Sequence, residues 1–249
     1  IPKRDWSSDV CSSDLQGFKK KYFTSLSHEG VIAVDLNEAK KMGYEKIGQT
    51  VCKKLNSLGY SARYVSDKNA ALEAALELIP EGASVGVPGT VTVRQIGLID
   101  ELRKRGSKVS VHWDPDLKPE DRKQRLMEEM ASEWLVTSTN ALSADECVFV
   151  NIDGTGNRVG AMAWAPGKLL YVLGINKITP DLETAIKRAR NTATPPNVIR
   201  LNYNVPCASL GHCVNCSSPD RVCRVVTMME RPPFGRECHV IIVGEDLGY

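Results

Sequence analysis

Residues 62–112 read ARYVSDKNAALEAALELIPEGASVGVPGTVTVRQIGLIDELRKRGSKVSVH, and this stretch decides the fold. Ala62 to Val65 is a short run suited to a strand. Asp67 then opens a helix that carries Leu72, Ala75, Leu76 and Ile79 on one side and stops at Pro80 and Gly82. Ser84 to Val87 reads as a buried strand, Thr92 to Arg105 as a helix with Ile96, Ile99 and Leu102 on one face, and Lys108 to His112 as an alternating strand. Strand and helix in regular succession predict an α/β fold, a mainly parallel sheet with helices on both faces.

The pattern extends outward from there. Upstream, Asn37 is placed to cap a helix with Ala39, Met42, Ile47, Val51 and Leu55 at helical spacing, stopped by Gly59. Downstream, Pro119, Glu120 and Asp121 mark a helix start. Strands are expected at Trp134 to Thr137, Cys147 to Asn151 and Leu169 to Gly174, and a helix at Asp181 to Arg190. After Thr194-Pro-Pro-Asn197 comes a cysteine-rich loop, then two strand-like runs, Arg224 to Met229 and His239 to Val243. Their connector, Arg231-Pro-Pro-Phe-Gly-Arg236, suits a hairpin or an extended return, so these C-terminal strands are expected to add antiparallel to the main sheet.

The composition sets bounds on function. The 249 residues are 42% hydrophobic, enough for a sizeable core and against a disordered or fibrous chain. Lys and Arg total 32 against 30 Asp and Glu, a net charge of +2 with no long block of either sign, so nothing asks for nucleic acid or an anionic membrane. The longest apolar run, Leu169 to Ile175, is about a third of the ~20 residues that span a bilayer. No secretory leader opens the sequence, and a cytoplasmic location is expected. Asp5 to Leu15 reads Asp-Trp-Ser-Ser-Asp-Val-Cys-Ser-Ser-Asp-Leu, the in-frame translation of a common sequencing adapter, so residues 1–15 are set apart as an artefact outside the packed core. Residues 16–249 are read as one domain that includes the cysteine loop 207–223.

Two Gly-rich loops follow strands and are candidates for a ligand cleft. One is Asn151-Ile-Asp-Gly-Thr-Gly-Asn-Arg-Val159, where Asn151, Asp153, Gly154, Thr155, Gly156, Asn157 and Arg158 stand beyond a strand's carboxyl end. Its G-x-G lacks the third glycine of a dinucleotide fingerprint. The other, Gly86-Val-Pro-Gly-Thr-Val-Thr-Val-Arg94, contributes Gly86, Gly89, Thr90 and Thr92 at a helix start and lacks the Gly-Lys-Ser/Thr of a P-loop. Arg158 offers a planar fork suited to a carboxylate or phosphate, and Asp153 is the candidate general base. The plainer alternative is an Asp153–Arg158 salt bridge that closes the turn. His112, beside Trp113 and Asp114, is a weaker base candidate against a simple hydrogen-bonded histidine.

Eight cysteines occupy positions 11, 52, 147, 207, 213, 216, 223 and 238. Cys52 and Cys147 read as small core residues, and Cys238 as a spare. Cys207, Cys213, Cys216 and Cys223 have the spacing C-x5-C-x2-C-x6-C, whose two-residue gap lets neighbouring thiolates grip one ion, with reduced free thiols as the alternative. The spacing differs from the ferredoxin run and does not choose between an iron-sulfur cluster and zinc.

Several ordered runs carry a family resemblance: Thr137-Ser-Thr-Asn-Ala141, Val150-Asn-Ile-Asp-Gly-Thr-Gly-Asn-Arg158, and Leu173-Gly-Ile-Asn-Lys-Ile178 with Pro180-Asp-Leu182. With Cys207, Gly211-His-Cys213, Cys216-Ser-Ser-Pro-Asp-Arg221, Cys223 and Val243-Gly-Glu-Asp-Leu-Gly248, the chain resembles the Cys-bearing branch of the LUD-domain lactate utilisation proteins from about residue 30 onward. The resemblance implies a fold like that of the NagB/RpiA sugar-phosphate isomerases and CoA transferases, with the two Gly-rich loops lining the cleft. Asn140 joins the substrate-binding set. It also implies a part in oxidation of lactate or a related hydroxy acid, a small anionic substrate, and iron-sulfur and FAD-linked partner subunits. One departure is Pro88-Gly-Thr90, where the family usually carries a glycine-serine loop. The alternatives are a cleft enzyme on an anionic phosphate or CoA ester with a structural zinc knot, and a non-catalytic assembly subunit.

Overall fold

The computed structural model describes residues 35–249, and the expected artefact at residues 1–15 lies outside them. Lys40–Tyr249 forms one compact unit.

Its main sheet has six strands, all parallel: β1 (Ser61–Val65), β2 (Ser84–Gly86), β3 (Lys108–Ser110), β4 (Trp134–Thr137), β7 (Lys168–Gly174) and β10 (Cys238–Val243), in the order β1-β10-β7-β4-β2-β3. A second, mixed sheet joins β5 (Ala141–Ser143), β6 (Phe149–Asp153), β8 (Ile178–Thr179) and β9 (Val225–Met229) in the order β8-β5-β6-β9. Two apolar layers flank the main sheet. Leu170, Val172, Ile241 and Val243 face the helices Lys68–Leu78 and Leu98–Lys104, while Leu169, Tyr171, Leu173, Val240 and Ile242 face Val51 and Leu55 of the helix Leu36–Ser57, Met162, and Phe149 of the second sheet. Alternate residues of one strand thus enter opposite layers, and both layers are buried. Among the described residues no helix is long and apolar enough to cross a membrane.

Four expectations change. β10 is not an antiparallel addition: it lies inside the main sheet, parallel to β1 and β7, with Val240 opposite both Ala62 and Tyr171. Its unbroken apolar run fits a strand buried on both faces, and the Pro-rich connector is a crossing between sheets rather than a hairpin. Arg236 anchors that crossing by donating to the carbonyls of Gly167 (2.7 Å), Ala161 (2.7 Å) and Met162 (2.8 Å). β6 belongs to the second sheet, pairing antiparallel with β5 and β9. The helix expected at Thr92 to Arg105 is broken at Gly97 (φ +74°) into Val91–Gln95 and Leu98–Lys104. Asp35 rather than Asn37 caps the first helix, its Oδ2 accepting the N–H groups of Asn37 (3.0 Å) and Glu38 (3.4 Å).

Candidate functional site

The loops leaving the carboxyl ends of β2, β4, β6, β7 and β10 meet around one cleft of ≈ 480 Å³. This is where ligands sit in open parallel sheets, and the volume lies within the ~300–1,000 Å³ usual for small-molecule sites. Arg94, Arg122, Arg158, Lys177 and Arg200 line it, against one carboxylate side chain, Asp153. The cleft is therefore strongly electropositive. The Arg94 guanidinium carbon lies over the Trp113 ring, 4.8 Å from its centroid.

Arg158 sits on the first turn of the helix Asn157–Ala163, which Gly156 opens at φ +87°. Its fork is already engaged: Nη1 donates to Asn151 Oδ1 (2.7 Å) and the Ser138 carbonyl (3.4 Å), and Nη2 to the Ile152 carbonyl (2.7 Å) and Asn140 Oδ1 (3.1 Å). All four acceptors are neutral. Burial holds its pKa below the usual arginine value despite the opposing field of Asp153. Asp153 makes no side-chain bridge to it. Instead Asp153 Oδ2 accepts the backbone N–H groups of Arg158 (3.1 Å) and Val159 (3.2 Å), closing the helix start. The turn closure expected of the pair is real, but a backbone cap achieves it. Arg158 supplies the cleft with positive charge, not with a free fork.

Lys177, 5% exposed, stands in the 3₁₀ turn Ile175–Lys177 after β7 and reaches the cleft. Its Nζ donates to Thr92 Oγ1 (2.9 Å) and Ser138 Oγ (3.0 Å). Burial, then the nearby charges of Arg188 and Arg158, lower its pKa to about 7. Gly248 (φ +68°) makes room for this group, since a Cβ there would stand 2.7 Å from Thr92 Oγ1 and 2.8 Å from Lys177 Nζ.

Across the cleft, His112 pairs with Glu129, which is 2% exposed. Nδ1 lies 2.9 and 3.0 Å from the two carboxylate oxygens, and the His112 backbone N–H donates to Oε1 at 2.6 Å. A carboxylate on Nδ1 orients the ring and leaves Nε2 on the Gly89 side, free of that pairing. Burial raises the Glu129 pKa, against the lowering influence of His112. Thr90, on the facing loop, is buried and its hydroxyl has no protein partner.

Beyond the wall of the cleft, Cys207, Cys213, Cys216 and Cys223 line one small apolar cavity, and Thr194 and Val222 border both spaces. Arg221 braces this loop, donating to the carbonyls of Cys216 (2.6 Å) and Cys223 (3.0 Å) and to Asn215 Oδ1 (3.2 Å). Asn215, at φ +48°, makes the turn between Cys213 and Cys216. Burial and the neighbouring thiols of Cys223, Cys216 and Cys213 raise the Cys207 pKa. In kind, this donor set suits a thiolate-loving ion. In position it does not yet form a coordination sphere: among the described residues no group of three or more His, Cys, Asp or Glu side chains stands as ligands. An ion would have to draw the thiols inward. All seven described cysteines are free, with Cys52, Cys147 and Cys238 buried in the core.

The structure brings Gly89, Thr90, Asn140, Asp153, Gly154, Thr155, Asn157 and Arg158 to the cleft. Thr92 and Asn151 stand behind its lining and hold Lys177 and Arg158, while Gly156 sets the helix start. Gly86 is structural, since a Cβ there would fall on the Glu129 backbone. Sequence reasoning missed Lys177 as a site residue and Glu129 as the partner of His112. Lys177 carried one signal, a lysine directly beyond the carboxyl end of an apolar strand.

A family model described as the LUD domain matches residues 49–243. No curated protein matches the chain. Among solved structures, the crystal structure of a DUF162 family protein from Deinococcus radiodurans is similar at 11% identity and TM-score 0.47, covering 80% of this chain and 98% of that one.

Proposed function

The chain belongs to the LUD domain family, and from that premise we propose that it serves in the cytoplasmic oxidation of lactate or a related hydroxy acid. In this reading the cleft holds the acid, and Cys207, Cys213, Cys216 and Cys223 hold an iron-sulfur cluster or zinc. Iron-sulfur and FAD-linked subunits are the proposed partners. The observation that carries the reading is the charge of the cleft, four arginines and Lys177 to one carboxylate side chain. A small organic anion entering it exchanges water for a field already arranged to receive it. The unpartnered Thr90 hydroxyl supplies a donor for a carboxylate oxygen. If bound, the metal would supply electron transfer or a structural clasp beside the cleft wall.

A second reading rests on size. The cleft of ≈ 480 Å³ is roomy for a three-carbon acid and admits a phosphate or CoA ester, with a zinc knot bracing the loop. Calorimetry on the chain with lactate, pyruvate, a sugar phosphate and CoA decides between them. Binding of the short acids that Thr90→Val and Arg94→Met each weaken about tenfold, ~1.4 kcal/mol, is expected. Heat only from the phosphate or CoA ligands selects the second reading, and heat from none rejects both. Visible absorption and metal content of anaerobically purified chain identify the ion, and less than one equivalent of zinc or cluster per chain rejects the cysteine site.

A further inference from the structure

We propose that the amine of Lys177 is a nucleophile that forms an imine with the carbonyl carbon of a 2-oxo acid bound in the cleft. The inference rests on the anion-binding reading above and deepens it by naming the substrate class.

Three features of the geometry point to it. The first is position: Lys177 lies where the loops after β2, β4 and β7 converge, and it lines the cleft while only 5% exposed. The second concerns its partners, two hydroxyls, Thr92 Oγ1 and Ser138 Oγ. A hydroxyl holds an ammonium weakly and, with its own proton free to rotate, holds a neutral amine equally well. The third is its charged surroundings. From the helix Asn157–Ala163 comes Arg158 and from the helix Leu182–Arg188 comes Arg188, both cationic, and among the described residues no carboxylate forms an ion pair with Lys177. Asp246 acts on Arg188 rather than on the lysine. A buried amine beside two guanidinium groups sheds its proton readily, the means by which imine-forming lysines are activated. With the pKa lowered to about 7, roughly half the amine is neutral at that pH, against well under ~1% for an ordinary lysine.

The same cations that depress the ammonium attract the carboxylate of the acid, and a carboxylate bound near Arg158 sets its adjacent carbonyl beside the amine. The nitrogen lone pair forms the C–N bond, and the carbonyl oxygen becomes the hydroxyl of a carbinolamine. That hydroxyl, formed with a proton passed from the nitrogen, takes a second proton from solvent and leaves as water while the nitrogen lone pair closes the C=N bond, and the protonated imine remains. No oxidant or reductant is consumed.

The test is reduction of the imine by cyanoborohydride, followed by peptide mapping of the whole chain. Pyruvate, glyoxylate and 2-oxoglutarate are each incubated with the protein near neutral pH. The expected result, with at least one of them, is a secondary amine on the peptide containing residue 177. With pyruvate its mass gain is that of pyruvic acid less one oxygen. Labelling there is expected to exceed any other lysine by more than about tenfold, to vanish in Lys177→Met and to fall when oxalate competes. The map of the unsubstituted chain locates the adduct whether or not the variant folds. Absence of an adduct at Lys177 with all three acids, or labelling spread evenly over surface lysines, overturns the proposal. So does an adduct formed only with uncharged propanal, which would make the amine reactive toward the wrong class. Calorimetry with lactate and oxalate separates the two levels: binding without an adduct removes the imine and keeps the anion site, whereas absence of binding removes the site itself.

Discussion

Lys177 carries its proton at a cost, and the cost has a pH signature. Its folded pKa is lowered from 10.5 to about 7 by burial and by Arg188 and Arg158. Between those values the unfolded chain binds a proton that the folded chain releases, so the folded state gains stability as pH rises through the window and loses it as pH falls toward 7. Measured against Lys177→Met in urea, the native chain is expected to gain up to about 1.4 kcal/mol per pH unit across that window. A flat difference between the two proteins refutes the assignment. Asp153 separates charge from shape in another way. Its Oδ2 caps two amides, so Asp153→Asn, which keeps an acceptor oxygen, is expected to cost under about 1 kcal/mol, and Asp153→Ala about 1–2 kcal/mol, by thermal unfolding. Binding lost in the Asn variant with stability retained would mark a carboxylate that the ligand uses.

Glycines at the ends and insides of elements behave oppositely according to what faces them. At Gly86 the helix Arg122–Ala131 lies against β2 so closely that a Cβ would enter the Glu129 carbonyl. Gly86→Ala is expected to destabilise by about 1–3 kcal/mol or more. Gly160, in the helix Asn157–Ala163, faces open space, and Gly160→Ala is expected to stabilise by about 0.5–1 kcal/mol. Paired melting curves check both signs. Elements with a strong local signature were legible from sequence. The helix Lys68–Leu78 has its cap, Asp67 Oδ1 accepting from Asn69 (2.9 Å) and Ala70 (3.0 Å), and β4 and β7 are apolar throughout their middles. β5 and β8, three and two residues long, are too short to display a period. The helix Thr194–Arg200 was hidden by Pro195 and Pro196. Both occupy its first turn, and a π-helical turn at Ala189–Ala193, whose register differs from that of an α-helix, leads the preceding helix into it.

At the level of the molecule, the rule that ligands gather at the carboxyl ends of parallel strands located the cleft from two loops alone, because those loops are contiguous in sequence. The groups that join it from afar were not legible. Lys177 meets Thr92 across 85 positions, and Glu129 meets His112 from the helix Arg122–Ala131. Such pairings depend on strand order, and strand order was misread at the last strand. The crossing that places β10 hangs on Arg236, whose loss would leave three carbonyls at the Asn157–Ala163 helix end and the β7 approach without a donor. Arg236→Met is expected to cost about 2–4 kcal/mol and to broaden the unfolding transition of the chain. Among the described residues β1 has one neighbour in the sheet, and that neighbour is β10. During translation, then, β1 and β7 leave the ribosome with the position between them vacant, and each keeps an unpaired edge until residues 238–243 emerge. The nascent chain is most open to wrong partners over that interval, which is where a chaperone would find its substrate.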